Sequence, residues 1–245
     1  MRGREGGTGP RERAAAIVRS GRLPPADNMA IDEALLASAP GRPVLRLYGW
    51  SPPGLSLGHF QSDEEGAAAL RSFPGAVIVR RPTGGGAIYH DDEVTYSLVV
   101  GLGDPLLEGA SLEESYFRLD APVVAALAGL GVAARHRGGD GAGRDRRAEP
   151  FFCFDRKSRL DVVAERGHGL PAPKIAGSAQ RRSRTHVLQH GSVLLRGHRA
   201  IAGAAGVNDL LPAGSPPVGF DRLASLLESA FARGLGLRFE PAESP

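Results

Sequence analysis

The 245-residue chain carries 30 basic and 27 acidic side chains, a formal net charge of +3 and 42% hydrophobic residues. It can bury a substantial core, fits one main domain, and offers no electrostatic case for a dedicated nucleic-acid binder while leaving room for an acidic protein partner. No apolar run approaches the roughly 20 residues that span a bilayer. The opening "MRGREGGTGPRERAAAIVRS" lacks an apolar segment of signal-peptide length, so a cytoplasmic protein without membrane contact is expected. The lone cysteine, Cys153, excludes an internal disulfide and any multi-cysteine metal site.

In chain order, residues 1–22 are rich in Arg and Gly and read as a disordered tail, with 23–240 forming one domain. Asp27 is placed to cap a helix over "NMAIDEALLASA". "PVLRLYGW" and "LSLG" read as strands, "SDEEGAAALRS" as a short helix with acids in its first turn, and "GAVIVRR" as a strand running into three glycines. "VTYSLVVGL" is another strand; "LEESYFRLDAPVVAALAGL" is helical, with Pro122 marking a helix start or a break near Asp120. Residues 135–150, a Gly/Arg loop long enough to act as a lid, lead into "FFCFD". "SRLDVVAE", "KIAGSAQRRS" and "HVLQHGSVLL" follow as strands, then "DRLASLLESAFARGLG" as an amphipathic helix capped by Asp221. This mixture predicts an α+β domain, a largely antiparallel or mixed β-sheet covered by helices.

The common phosphate, hydrolase and zinc signatures are all absent. No histidine pair has ligand spacing, so no metal is expected, and His90 and His190 fit a core role as well as a catalytic one. Two features need another account. Gly84, Gly85 and Gly86 are consecutive, which suits a hairpin turn or a backbone lying against a ligand. Of the 30 basic residues only Lys157 and Lys174 are lysines. A chain that writes arginine for almost every cation keeps lysine where arginine fails, because lysine can lose its proton and act as a point charge. Lys157 lies in the polar run "DRKSR" and reads as solvated, leaving Lys174.

Four segments, "DNMAIDEALL", "RLYGWSPPGLSLGHFQ", "RRPTGGGAIYHDDEVTYSL" and "KIAGSAQRRSRTHVLQHGSVLL", together resemble the lipoate ligase, octanoyltransferase and biotin ligase superfamily over roughly residues 25 to 235. The Ala-Gln after Gly-Ser and the "LQHGS" are most similar to the cysteine-dependent octanoyltransferases of lipoate biosynthesis, whose nucleophile lies in a Cys-Phe pair such as Cys153-Phe154. The resemblance implies a biotin-ligase-type catalytic domain with an acyl tunnel. In it the glycine loop, with Arg80, Arg81, Thr83 and His90, and the segments Gly177, Ser178, Ala179, Gln180 and Gln189, His190, Gly191 would bind substrate, while Cys153 and Lys174 would be catalytic. It also implies octanoyl acyl carrier protein as donor, a lipoyl domain or glycine-cleavage H protein as acceptor, and no cofactor.

The residues agree with that chemistry. A glycine backbone packs against a slim acyl chain and can aim N–H groups at a carbonyl oxygen. Arg80 or Arg81 could hold the loop, meet a phosphopantetheine phosphate, or end a strand as a solvated cation. A free thiol is only slightly ionised at pH 7, its ordinary pKa being about 8.5, so the Lys174 ammonium would favour a Cys153 thiolate, and its neutral form could take the proton of the incoming amine. They meet if "FFCFD" and "KIAGS" lie side by side in the sheet. Three readings compete with this one: an inert buried Cys153 among Phe151, Phe152 and Phe154; a ligase making an acyl-adenylate from ATP and Mg; and a non-catalytic acyl-carrier binding module. Two departures from the subgroup, "DRKSRLD" after Cys-Phe and the long hairpin "ERGHGLPAPK", lie next to the expected site.

Overall fold

The computed structural model describes residues 12–138, 150–165, 172–201 and 203–242. Its strands are β1 (Arg13–Leu23), β2 (Val44–Trp50), β3 (Gly54–Leu57), β4 (Val77–Arg80), β5 (Ile88–His90), β6 (Glu93–Gly101), β7 (Ala134–His136), β8 (Val162–Ala164), β9 (Lys174–Arg182), β10 (His186–Leu194) and β11 (Leu237–Pro241). Four helices accompany them: α1 (Pro25–Ala37), α2 (Asp63–Leu70), α3 (Leu112–Ala128) and α4 (Phe220–Leu235). The large sheet runs β11-β1-β2-β6-β10-β9-β8-β7 and a small one β4-β3-β5. Pairing is parallel where β1 meets β2 and β11 and antiparallel through the rest of the large sheet, the mixed α+β architecture expected.

Period two decides what each face of the large sheet carries. Leu45 and Leu47 of β2, Val94, Tyr96 and Leu98 of β6, and Val187 and Val193 of β10 join the main core with Leu119, Val123 and Leu127 of α3 and Leu223, Leu227 and Phe231 of α4. The alternate residues are polar yet equally buried: Arg46 and Tyr48, Thr95 and Ser97, His190 and Ser192. Buried Arg46 donates to Asp32 Oδ1 (2.8 Å), to Asn28 Oδ1 (2.6 Å) and to the Asn28 carbonyl (3.1 Å), pinning α1 to this second face. The alternation in "PVLRLYGW" is therefore two buried faces, not one buried and one wet.

Several expectations are corrected. The tail expected over 1–22 ends sooner, because from Arg13 the chain is β1, its "AAAIV" docked between β2 and β11; residues 1–11 lie outside the described set. Asp27 and Asp221 are not caps, since their helices start at Pro25 and Phe220 and both acids fall in the first turn. α3 runs straight through Pro122, whose ring is buried against Gly234 of α4, so packing outweighs the lost helical N–H. Of the expected lid, 139–149 lie outside the described residues and Ala134–His136 is strand β7; 166–171 of the long hairpin are likewise outside.

Candidate active site

On the polar face of the large sheet a cavity opens, with Met29, Tyr48, Trp50 and Ile88 at its apolar walls and the glycine loop over it. Cys153, Gly84, Gly85, Arg81, His90, Gly177, Ser178, Ala179, His190 and Gly191 all line it, so ten of the expected site residues converge.

The glycine loop sits between β4 and β5. Gly85 has φ +97°, a conformation L side chains rarely adopt. Gly86 permits a close approach: a Cβ there would lie 2.8 Å from the Cys153 backbone nitrogen and 2.8 Å from the Phe151 carbonyl. Between these backbones, Cys153 N donates to Ala87 O (2.8 Å) and Ala87 N to Phe151 O (2.9 Å). The cysteine segment is thus docked on the end of the glycine loop, not beside "KIAGS" as expected. Cys153 is half-buried and lines the cavity, so it is not sealed in the core, whereas Phe154 beside it is buried.

Lys174 reaches Cys153 by a different device. The register between β8 and β9 shifts between Val162 and Val163, so β9 holds one extra residue. Ile175 and Ala176 both enter the helix-side core, and Lys174 turns to the side of Gly177. Its buried ammonium has three hydrogens and three acceptors: Asp161 Oδ1 at 2.8 Å, the Cys153 carbonyl at 3.0 Å and Cys153 Sγ at 3.4 Å. Burial opposes the charge, but Cys153 and Asp161 outweigh it and raise the lysine above its ordinary value. Lys174 therefore rests as a cation, not in the neutral form suggested for proton uptake. Asp161, the acid of this contact set, was not singled out from the sequence. It sits in "RKSRLD", which looks solvated, yet it is buried and fixed by the Ser158 N–H on Oδ2 (2.7 Å).

Arg81 is buried and turned inward. It donates to the carbonyls of Gly84 (2.8 Å), Gly86 (2.6 Å) and Ser56 (2.9 Å), so it holds the loop. Burial brings its guanidinium down to about 10, still a cation at neutral pH. Two chains of hydrogen bonds start from it. Its Nη1 donates to Ser56 Oγ (3.2 Å), which pairs with His90 Nε2 (2.7 Å), while His90 Nδ1 donates to Glu93 (2.8 Å). Its Nε donates to Thr83 Oγ1 (3.2 Å), which pairs with His190 Nε2 (2.7 Å), whose Nδ1 faces Asp32 at 3.4 Å. Burial lowers His90 below its ordinary value despite Glu93, so His90 is a neutral wall residue stacked on Trp50 at 3.9 Å.

Other expected site residues stay away from the cavity. Arg80 points outward, donating to the Gly58 and Gln61 carbonyls (both 2.9 Å) and pairing with Asp63. Gln180 and Gln189 lie on the opposite face of the sheet, bonded to each other (2.6 Å), with Gln189 also donating to Asp120 of α3 (2.5 Å). Period two explains it, since Gln189 faces away wherever His190 faces in. Among the described residues no group of three or more His, Cys, Asp or Glu could hold a metal ion, and no helix is long and apolar enough to cross a membrane.

The sequence matches the lipoyl protein ligase A/B catalytic domain over residues 24–211. The chain belongs to that family. Octanoyltransferase LipM of Kyrpidia tusciae is 39% identical over 93% of this chain and 89% of its own length, and LipM of Symbiobacterium thermophilum 43% over 73% of this chain. The chain spans 64% of the length of the latter. Among solved structures, a putative lipoate protein ligase of T. acidophilum with bound lipoic acid superposes with TM-score 0.69 at 23% identity, covering 95% of this chain and 90% of that one. A lipoate-protein ligase A bound with ATP gives TM-score 0.69 at 23% identity over 94% of this chain and 88% of that one, a likeness of fold.

Proposed function

We propose that this family member is an octanoyltransferase, moving octanoyl from acyl carrier protein to Cys153 and from there to a lysine of a lipoyl domain or glycine-cleavage H protein. The observation that carries the reading is a cavity whose wall holds a cysteine with a buried ammonium 3.4 Å from its sulfur. The curated relatives named octanoyltransferases support it at 39% and 43% identity, above the 23% of the ligase structures.

In the first half-reaction the Cys153 thiolate attacks the carbonyl carbon of the carrier thioester. A new C–S bond forms, the carrier's C–S bond breaks, and the carrier thiolate leaves to take a proton from solvent. Lys174 stabilises the attacking thiolate. Acylation then removes the sulfur's negative charge, leaving burial of the ammonium opposed by Asp161 and the Cys153 carbonyl. The ammonium sheds its proton more easily in that state, which suits the second step. There the acceptor amine attacks the Cys153 thioester, the C–N bond forms, the C–S bond breaks, and the amine's proton passes through Lys174 to the departing thiolate. The thioester already stores the free energy of the amide, so no ATP is consumed.

The donor decides the matter. With one lipoyl domain as acceptor, octanoyl acyl carrier protein should support transfer without ATP. Intact mass should show one octanoyl group on the enzyme, absent in Cys153→Ala. Normal turnover by that variant, or transfer only from free acid plus ATP, would overturn the proposal in favour of a ligase; tight acyl-carrier binding without turnover would favour a binding module.

A further inference from the structure

Both arginines of "RRPTGGG" have their guanidinium groups occupied by this chain's own carbonyls, Arg81 by the glycine loop and Arg80 by residues 58 to 61 and Asp63. Neither presents an open fork to a substrate anion. Beside them, however, runs an open groove lined by Arg181 and Arg182 of β9, His59, Arg80 and Arg81, with Glu33 of α1 as its one acid among the described residues. Arg81 lines this groove and the acyl cavity alike, so the two adjoin across the glycine loop. Arg181 and Arg182 are exposed, and neither is in an ion pair among the described residues. Arg182 turns the other way: its guanidinium is held on the opposite face of the sheet by Ser115 Oγ at 2.8 Å and Gln180 Oε1 at 3.3 Å, so Arg181, on the face of Gly177 and Ala179, is the one free to meet an anion there.

We infer that Arg181 forms the anion subsite for the phosphodiester of the carrier's pantetheine arm, placing the phosphate in the groove while the acyl thioester enters the cavity. Guanidinium is suited to this, offering paired N–H donors to two phosphate oxygens without losing its charge. A guanidinium outside any ion pair among the described residues, in a groove that adjoins the thioester cavity, matches a donor whose acyl group hangs from a phosphate-bearing arm. Glu33 opposes the same anion. The inference rests on the transfer reading above.

The test compares donors of graded structure: octanoyl acyl carrier protein, octanoyl-4′-phosphopantetheine and octanoyl-pantetheine. Wild type should acylate Cys153 from the phosphorylated small donor with a KM about tenfold below that of the unphosphorylated one, the scale of a charge-assisted contact at a wet site. Arg181→Glu should erase that difference and raise KM for the carrier donor, whereas Arg182→Glu, on the other face of the sheet, should leave the difference in place. Glu33→Gln should lower KM for both phosphorylated donors. Equal use of the two small donors by wild type would overturn the inference, as would arginine variants that raise KM only for the acceptor, which would make the groove the acceptor's dock. No acylation of wild type from any donor would sink the transfer reading itself and this inference with it.

Discussion

Gly177→Ala tests the cysteine–lysine pair without touching either member. A Cβ at Gly177 would lie 2.5 Å from Lys174 Cε and 2.8 Å from Nζ, against ordinary carbon contacts of about 3.5–4.0 Å, so the tip of the lysine must retreat by about 1 Å. A free lysine tip yields cheaply. This one is buried with all three hydrogens engaged, and the retreat loosens the longest contact first, the 3.4 Å bond to Cys153 Sγ, because Asp161 at 2.8 Å carries the opposing charge. A hydrogen bond to a charged group contributes about 1.5–3 kcal/mol, and about 1.4 kcal/mol is tenfold in rate. Alkylation of Cys153 by iodoacetamide and single-turnover octanoyl transfer should therefore both slow by about 10- to 100-fold. Gly177 is not among the positive-φ glycines, so the backbone accepts alanine and the melting temperature should fall only slightly. Wild-type alkylation by the variant would show that the ammonium does not govern the sulfur.

Lys174→Arg should fold but transfer octanoyl at least about a hundredfold more slowly, because the guanidinium is larger, keeps its proton and meets Gly177; near wild-type transfer would remove Lys174 from the mechanism. In Asp161→Asn the carboxylate charge that helps offset burial of the ammonium is gone, so Lys174 loses its charge at lower pH, and the alkaline limb of the transfer profile should move to lower pH; profiles that superimpose would exclude Asp161 from setting the lysine. Burial raises Asp120 to about 6 from an ordinary 3.8, and the sign follows: below 3.8 its contribution is fully present, and it is lost as pH rises through 6. That loss is about 3 kcal/mol, and urea titrations at pH 4.5 and 7.5 should show Asp120→Asn gaining relative stability at the higher pH. The lowered values of Asp32, Glu93 and His90 act the other way, stabilising at neutral pH and losing that contribution on acidification, so an unchanged pH dependence in the Asp120 variant would refute only the Asp120 assignment.

The legible part of this fold was whatever local pattern controls. Most strands of both sheets are legible as local runs and all four helices from apolar spacing or first-turn acids, and the "GGG" stretch and "KIAG" run mark the candidate site because glycine and lysine are there for reasons a side-chain survey can weigh. What pairing across long separations controls stayed hidden. β1 looked like a tail because its apolar "AAAIV" gains meaning only between β2 and β11. Gln180 and Gln189 were expected at the site from the family resemblance, which does not say which face of the sheet each occupies, and β10, buried along its whole length, carries no polarity signal that would tell. Asp161 was hidden by its neighbours, four polar residues in "RKSR" that say surface.

The two lysines separate this most sharply. Scarcity of lysine marked both, and only one is at the site: Lys157 is exposed, while Lys174 is among the largest fully buried side chains. Position in the sheet supplies the difference. The extra residue in β9 turns Lys174 out of the helix-side core and toward Asp161, the Cys153 carbonyl and the Cys153 sulfur, all within 3.4 Å of its nitrogen. A tetrahedral ammonium can serve three acceptors so arranged from a single nitrogen, whereas a planar guanidinium spreads its donors over a fork that needs them in one plane. An arginine-rich chain keeps lysine here because the site requires a point charge with three directions, and the glycine three residues on keeps the space that such a point needs.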